Sequence, residues 1–515
     1  LTLTDAVLDW NRSSVLKGNI EINELSAALA ELPRAPAPSQ DTPSPEATTF
    51  SLPELPVSLR VSQISVKKVV LGAPVVGTPV TGSIKGSVSV AEGQGEAKLA
   101  ITRQDGPMGV FNLEAGFSNT SRVLALDLTL REAANGIAAN MLNLPGRPPV
   151  ELSLKGEAEI DNFTADVVLK SDGEERLAGQ IGTQARQEAE AQSDDANVPN
   201  RVIKADIAGD LTPLFAPEYR AFLGDNVALK SRISLFDDGR TSLDELTLKA
   251  AALRLSGEVA LSADGLPESF QLDALLQDPS GGASLLPMSG PETRVQSAEI
   301  TARFDSRVGD SWSLKSELLG LEREDVRLDT VRMAASGVIV RGDTRQVTAR
   351  IDGNARGVTL ADAALAAALG PSFTMGANLD WRDGQPLAVS NLELEATELV
   401  LTGAGTVEGL DSAMTLQGAL QAKAPSISRF SALAAQQLDG AIIADLKGRF
   451  ALLSGEGDLE LNANATDLSV GIAQVDGLIA GNSQLKASVL RSTEGLTLRS
   501  FKINARGGVA EAQGR

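Results

Sequence analysis

Leu246-Thr247-Leu248-Lys249-Ala250-Ala251-Ala252-Leu253-Arg254-Leu255-Ser256-Gly257 holds two short alternating ribbons on either side of a four-residue insert. Successive side chains of a β-strand point to opposite faces, so each ribbon carries its leucines on one face and its polar residues on the other. The insert moves the leucines from even to odd positions, and the chain turns while the same face stays apolar. The spacing recurs unchanged 146 residues further on as Leu392-x-Leu394-x4-Leu399-x-Leu401-x-Gly403. A degenerate copy runs Val326-x-Leu328-x2-Val331-x-Met333-x3-Gly337, and each copy reads as two short strands joined by a bend. Equal spacing in widely separated segments is the mark of an array whose units stack on their neighbours.

The same period of two extends outward from these copies. It is seen in Ile84-x-Gly86-x-Val88-x-Val90, Leu124-x-Leu126-x-Leu128-x-Leu130, Val150-x-Leu152-x-Leu154, Ile233-x-Leu235 and Leu459-x-Leu461. Asp172-Gly173, Asp238-Gly239, Asp264-Gly265 and Asp383-Gly384 supply hairpin turns at the spacing of an antiparallel meander. One strand per roughly 12 residues predicts about 35 to 40 strands. The expected fold is mainly β: an elongated, twisted antiparallel sheet rolled into an open hydrophobic groove, with a few short amphipathic helices. Its lining is predicted to include Leu152, Leu154, Leu246, Leu248, Leu253, Leu255, Val326, Leu328, Val331, Met333, Leu392, Leu394, Leu399 and Leu401.

Composition supports an unfilled face over a closed core. Aromatic residues make up 3% of the chain, too few to fill the centre of an ordinary sandwich. The segments are predicted as follows. Residues 1–32 form N-terminal strands of the groove, beginning inside a strand pattern as an excerpt of a longer protein would. Residues 33–57, with seven prolines, form a flexible excursion. Residues 58–183 form a groove section, 184–200 a polar disordered loop, and 201–515 a repetitive groove section. Helices are expected near 131–143, 211–223, 361–369 and 427–438, on apolar stripes such as Ile137, Ala138 and Met141, on Asp210 as N-cap of the second, and on a run from Asp362 to Leu369 that Gly370-Pro371 ends.

The absence of Cys and His removes thiol and imidazole catalysis, His/Cys metal sites and disulfides. The net charge of −21 repels phosphate backbones and argues against nucleic acid. No enzyme activity and no cofactor or metal is expected. The S-x-x-K matches Ser14-Val15-Leu16-Lys17 and Ser65-Val66-Lys67-Lys68 fall in strand-like alternation, whereas that chemistry needs the serine on a helix. Gly403-Ala404-Gly405 lacks the third glycine of a dinucleotide loop at the right place. Asp194-Asp195, Asp237-Asp238 and Glu174-Glu175 read as solvated turns, Arg341-Gly342-Asp343 as a hairpin, and Trp381 as hairpin packing.

Three further stretches carry a resemblance. They are Leu55-Pro56-Val57-Ser58-Leu59-Arg60-Val61 leading to Leu71-Gly72; Leu142-Asn143-Leu144-Pro145-Gly146-Arg147-Pro148-Pro149 after an Ala-rich helix; and Leu152-x-Leu154-x-Gly156-x-Ala158-x-Ile160-Asp161-Asn162-Phe163. Together they resemble the TamB family, the inner-membrane component of the translocation and assembly module, related to AsmA-like and bridge-like lipid-transfer proteins. The resemblance implies a Gram-negative periplasmic protein attached to the inner membrane by an N-terminal anchor outside this chain. It implies a groove that takes phospholipid acyl chains toward the outer membrane. It also implies an Omp85-type barrel as partner, through a region absent here, and outer-membrane protein or autotransporter clients. The alternative is a protein-interaction scaffold or chaperone whose sheet edge pairs with outer-membrane strands, without lipid transfer.

Overall fold

The computed structural model describes residues 2–15, 18–34, 58–141, 144–186, 197–288, 290–342, 345–409, 414–451, 454–492 and 495–514. The Pro-rich segment from 35 to 57, Leu16, Lys17, Leu142, Asn143, Asp343 and the pair Asp194-Asp195 lie outside them, so the readings placed on those residues do too. Among the described residues the chain forms 31 strands and a few short helices. That is fewer strands than the turn spacing predicts because many run to ten residues or more, Val326–Val340 to 15.

The chain divides into two units, Leu1–Pro267 and Glu268–Arg515, with the division inside the stretch read from sequence as one groove section. In the first unit the strands follow one another as an antiparallel meander with a single exception. Asn19–Leu32 and Ser58–Leu71 pair in parallel, with Ile20 opposite Leu59 and Ala30 opposite Val69. A parallel neighbour cannot be reached by a tight hairpin, which is why residues 33–57 separate these two strands. The first strands, Thr2–Thr4 and Val7–Asn11, pair only with Asn19–Leu32, so the sheet stays open instead of closing into a barrel. The second unit is a meander throughout, ending on Gly508–Gly514.

Tight hairpins join most strands, and helices fill the longer connections. In the first unit these follow the fourth, eighth and twelfth strands: Ala73–Val76, Ile137–Met141, and the run of short turns from Thr212 to Leu223. Antiparallel neighbours alternate the edge at which they connect, so connections after even-numbered strands all fall on the same edge. In the second unit Ala363–Leu369, Ser431–Ala434 and Ala473–Ile479 likewise share one edge. Local chemistry fixes their ends. The Asp362 carboxylate accepts from the N–H groups of Ala364 and Leu365 at 2.8 and 3.0 Å, and Gly370 stops that helix at φ 76°. Asp210 stands one residue before the N-cap Leu211 of the Thr212–Leu214 turn and accepts from the Thr212 N–H at 2.9 Å. The helices Ala73–Val76 and Ala473–Ile479 have no counterpart in the sequence reading.

One sequence expectation is corrected. The degenerate copy is not two strands with a bend, since Val326–Val340 is one strand without a register shift against either neighbour. It lacks two of the four insert residues, and a bend needs them.

Candidate apolar binding face

The two exact repeats fold identically. Leu248 lies opposite Leu255 and Leu246 opposite Gly257; Leu394 lies opposite Leu401 and Leu392 opposite Gly403. Each copy carries a register irregularity at the same place, Leu243/Leu246 and Val389/Leu392. These irregularities and the bend keep every leucine of a copy on one face.

Cross-strand register extends that face from strand to strand. In the first unit Leu99 pairs with Leu113, Leu113 with Leu128, Leu128 with Leu154, and Leu154 with Val167. The ladder continues through Gly179 and Ile207 to Leu229, Leu248 and Leu255. A second ladder joins Ile101, Phe111, Leu130, Leu152 and Leu169. In the second unit Gly353, Met375, Leu394, Leu401 and Ala422 form one row, and Gly403, Leu420, Leu446 and Leu461 form the next.

These rows are not covered. Leu99, Leu113, Leu128, Leu154, Leu248, Leu394 and Leu401 are all half-buried, and Ile300 (41%), Met333 (40%) and Met375 (38%) are exposed. Burial is concentrated instead at the margins. On the helical edge Ala139, Val150, Leu214, Phe222 and Leu223 are buried, and toward the hairpin edge Phe117, Phe163, Phe304, Ile339 and Val407. A closed core buries large side chains at its centre, whereas here the deeply buried mid-strand residues are small, Ala377 and Ala463 among them.

The apolar face is also the inside of the curl. A Cβ on Gly209 or Gly337, both in apolar rows, would collide with the backbone oxygen of Arg176 or Thr348 on the adjacent strand. At Gly337 the Trp312 indole crosses the vacant position, its Nε1–H donating to the Thr348 carbonyl at 3.0 Å. On the polar face Gly116 has nothing within 4 Å and Gly376 nothing closer than 3.6 Å, and among the described residues there only Gly182 comes close to a backbone oxygen, that of Phe163 at 2.9 Å. Neighbouring backbones crowd together on the inner side of a coiled sheet and spread on the outer.

The polar face is laced with ion pairs between adjacent strands: Lys155–Asp127 at 2.8 Å, Lys230–Asp206 at 3.0 Å and Arg332–Glu317 at 2.6 Å. The hydrogen bond that Lys155 donates to Asp127 raises the Lys155 pKa, and the one that Asp352 accepts from Arg350 lowers the Asp352 pKa. A shallow depression of about 430 Å³ on this side is bordered by Arg350, Asp352, Asn378, Glu393 and Glu395. A twisted sheet is a saddle, so each face is concave along one diagonal. The acidic turns are tied locally, Asp238 to Arg240, Asp237 to Arg186 and Glu174 to Arg176. Among the described residues no group of three or more acidic side chains is placed to hold a metal.

Of the residues predicted to line the groove, Leu152, Leu154, Leu246, Leu248, Leu255, Leu392, Leu394 and Leu401 enter the apolar rows, and Leu253 is half-buried at the bend. Val331 and Met333 pair with Leu318 and Ser316, and Val326 and Leu328 with Leu360 and Leu321. Leu399 packs against the buried cluster that holds Ala424, Ile427 and Ile479, so it belongs to a margin. Leu99, Leu113, Leu128, Val167, Leu420 and Leu446 were missed. Their alternation is visible in sequence, but which strands they pair with is set by register alone. Among the described residues no helix is long and apolar enough to cross a membrane. No protein-family model, curated protein or solved structure significantly matches this chain.

Proposed function

We propose that this chain is a section of a periplasmic shaft that conducts phospholipid acyl chains along its apolar face toward the outer membrane, as its resemblance to the TamB family implies. In this reading the parent protein is anchored in the inner membrane, contacts an Omp85-type barrel, supports autotransporter assembly and catalyses no reaction. The observation that carries the reading is that each unit has a ladder of half-buried, mostly leucine side chains, walled at both margins. Burying a sixteen-carbon chain on such a surface is worth about 12 kcal/mol at about 0.8 kcal/mol per methylene. Most successive rungs offer an apolar side chain at the same height, so displacement along the ladder costs far less than exit to water. The polar residues of the other face keep the assembly in water.

Native mass spectrometry of the purified chain is the direct test, with phospholipid adducts as the expected result. Leu248→Lys and Leu394→Lys, each placing an ammonium in the apolar rows, remove those adducts while circular dichroism stays that of a β-sheet. A scaffold that works through its sheet edge would tolerate both substitutions and carry no lipid, and that result would sink the conduit.

A further inference from the structure

The apolar rows change character within the second unit. The row that begins with Met375, Leu394 and Leu401 continues as Ala422, Ala444 and Ala463 before returning to Leu485 and Ile503. Beside this alanine stretch two helical connections reach in from the edge. Ile427, Leu468 and Ile479 are buried at 6–7% exposure in one cluster, and Phe430, Ile442 and Leu485 pack against it. The sheet residues inside the cluster are Ala424 and Ala465, in the next row toward the helical edge, so small side chains on the sheet leave room that side chains from that edge take up. The ledge is held from outside as well, because the Arg429 guanidinium donates to the carbonyl of Ala367 in the neighbouring helix at 3.2 Å.

What remains open there is the adjacent row, Leu420, Leu446 and Leu461, all half-buried. Rows on one face lie about 6.8 Å apart, two residues along a strand.

We infer that the ledge carrying Ile427, Phe430 and Ile479 is a width filter. Resting on the lipid-conduction reading, it assigns to this stretch the selection of slim, unbranched hydrocarbon chains over methyl-branched ones. A single extra methyl in an apolar slot that cannot relax costs about 1–3 kcal/mol, or about 10- to 200-fold in binding.

The test uses the whole chain and a phosphatidylglycerol bearing a photoreactive diazirine in one straight acyl chain, with labelled peptides mapped by mass spectrometry. Competitors are dipalmitoyl and diphytanoyl phosphatidylglycerol, which share a headgroup and differ in chain branching. Labelling of the strands Thr415–Ala424, Asp439–Ala451 and Gly457–Ser469 should yield to the straight-chain competitor at about tenfold lower concentration than to the branched one. Labelling of Val123–Glu132 in the first unit should yield to both equally. Phe430→Ala with Ile479→Ala should abolish the difference, and the milder pair Phe430→Leu with Ile479→Val should reduce it if the first pair loosens the fold. Equal competition at both places in the unaltered chain overturns the filter and leaves conduction standing. Labelling of the first unit with none at the alanine stretch overturns it too, making the ledge a plug. Absence of labelling anywhere sinks the conduction reading itself.

Discussion

Single residues set the shape of this sheet through what they leave out. Gly337 is irreplaceable where the Trp312 ring and the Thr348 backbone already occupy the position of its missing Cβ. Gly337→Ala should therefore lower stability by about 1–3 kcal/mol, as overpacking does, whereas Gly116→Ala on the open polar face should be neutral or slightly stabilising. Thermal melts of the two variants read the contrast directly. Ionisation also acts one residue at a time. Asp161 is held below the ordinary carboxylate range by its hydrogen bond from Arg122, Asp210 by Thr212 and Asp380 by Arg382. A carboxyl whose pKa is lower in the folded than in the unfolded chain contributes stability above its unfolded pKa and loses it as pH falls through the folded value. With no His in the chain, the melting temperature should be flat between about pH 6 and pH 8 and should fall below about pH 4. A transition near pH 6.5 would contradict this assignment of the titrating groups.

Strands and helices differ in how far they can be read from sequence. The exact leucine repeats specify both their strands and the bend between them, because a four-residue insert must change parity and the apolar face must stay continuous. Asp362 and Gly370 bracket the helix Ala363–Leu369 by capping chemistry that is equally visible beforehand. Asp362→Ala should cost about 1 kcal/mol, detectable as faster amide exchange at Ala364 and Leu365 with little change elsewhere. Three features are illegible for a shared reason, which is that each depends on a partner distant in sequence. Leu113 joins the ladder only through Leu99 and Leu128, Leu399 becomes a wall only because a buried cluster from the helical edge packs on it, and the parallel pairing of Ser58–Leu71 is chosen across an unpatterned connection. The helix Ala473–Ile479 escapes because Gly477 and Asp476 interrupt its apolar stripe.

Within each unit a strand touches mainly the strand before and the strand after it, so stability is close to a sum of neighbour terms. Urea unfolding should accordingly be broad, with an m-value well below that of a single cooperative unit of this length, and native-state exchange should reveal segments opening independently. One sharp transition with the full m-value would show coupling beyond nearest neighbours. The placement of helices after the fourth, eighth and twelfth strands of the first unit has an architectural consequence. Adding or deleting a hairpin changes the span by two strand spacings, about 9.6 Å, and leaves every later connection on its own side. An odd number of strands would throw all downstream helices to the opposite side. Growth of such a molecule is thereby quantised in pairs, like a ruler that can be lengthened only by whole graduations while its cross-section is kept.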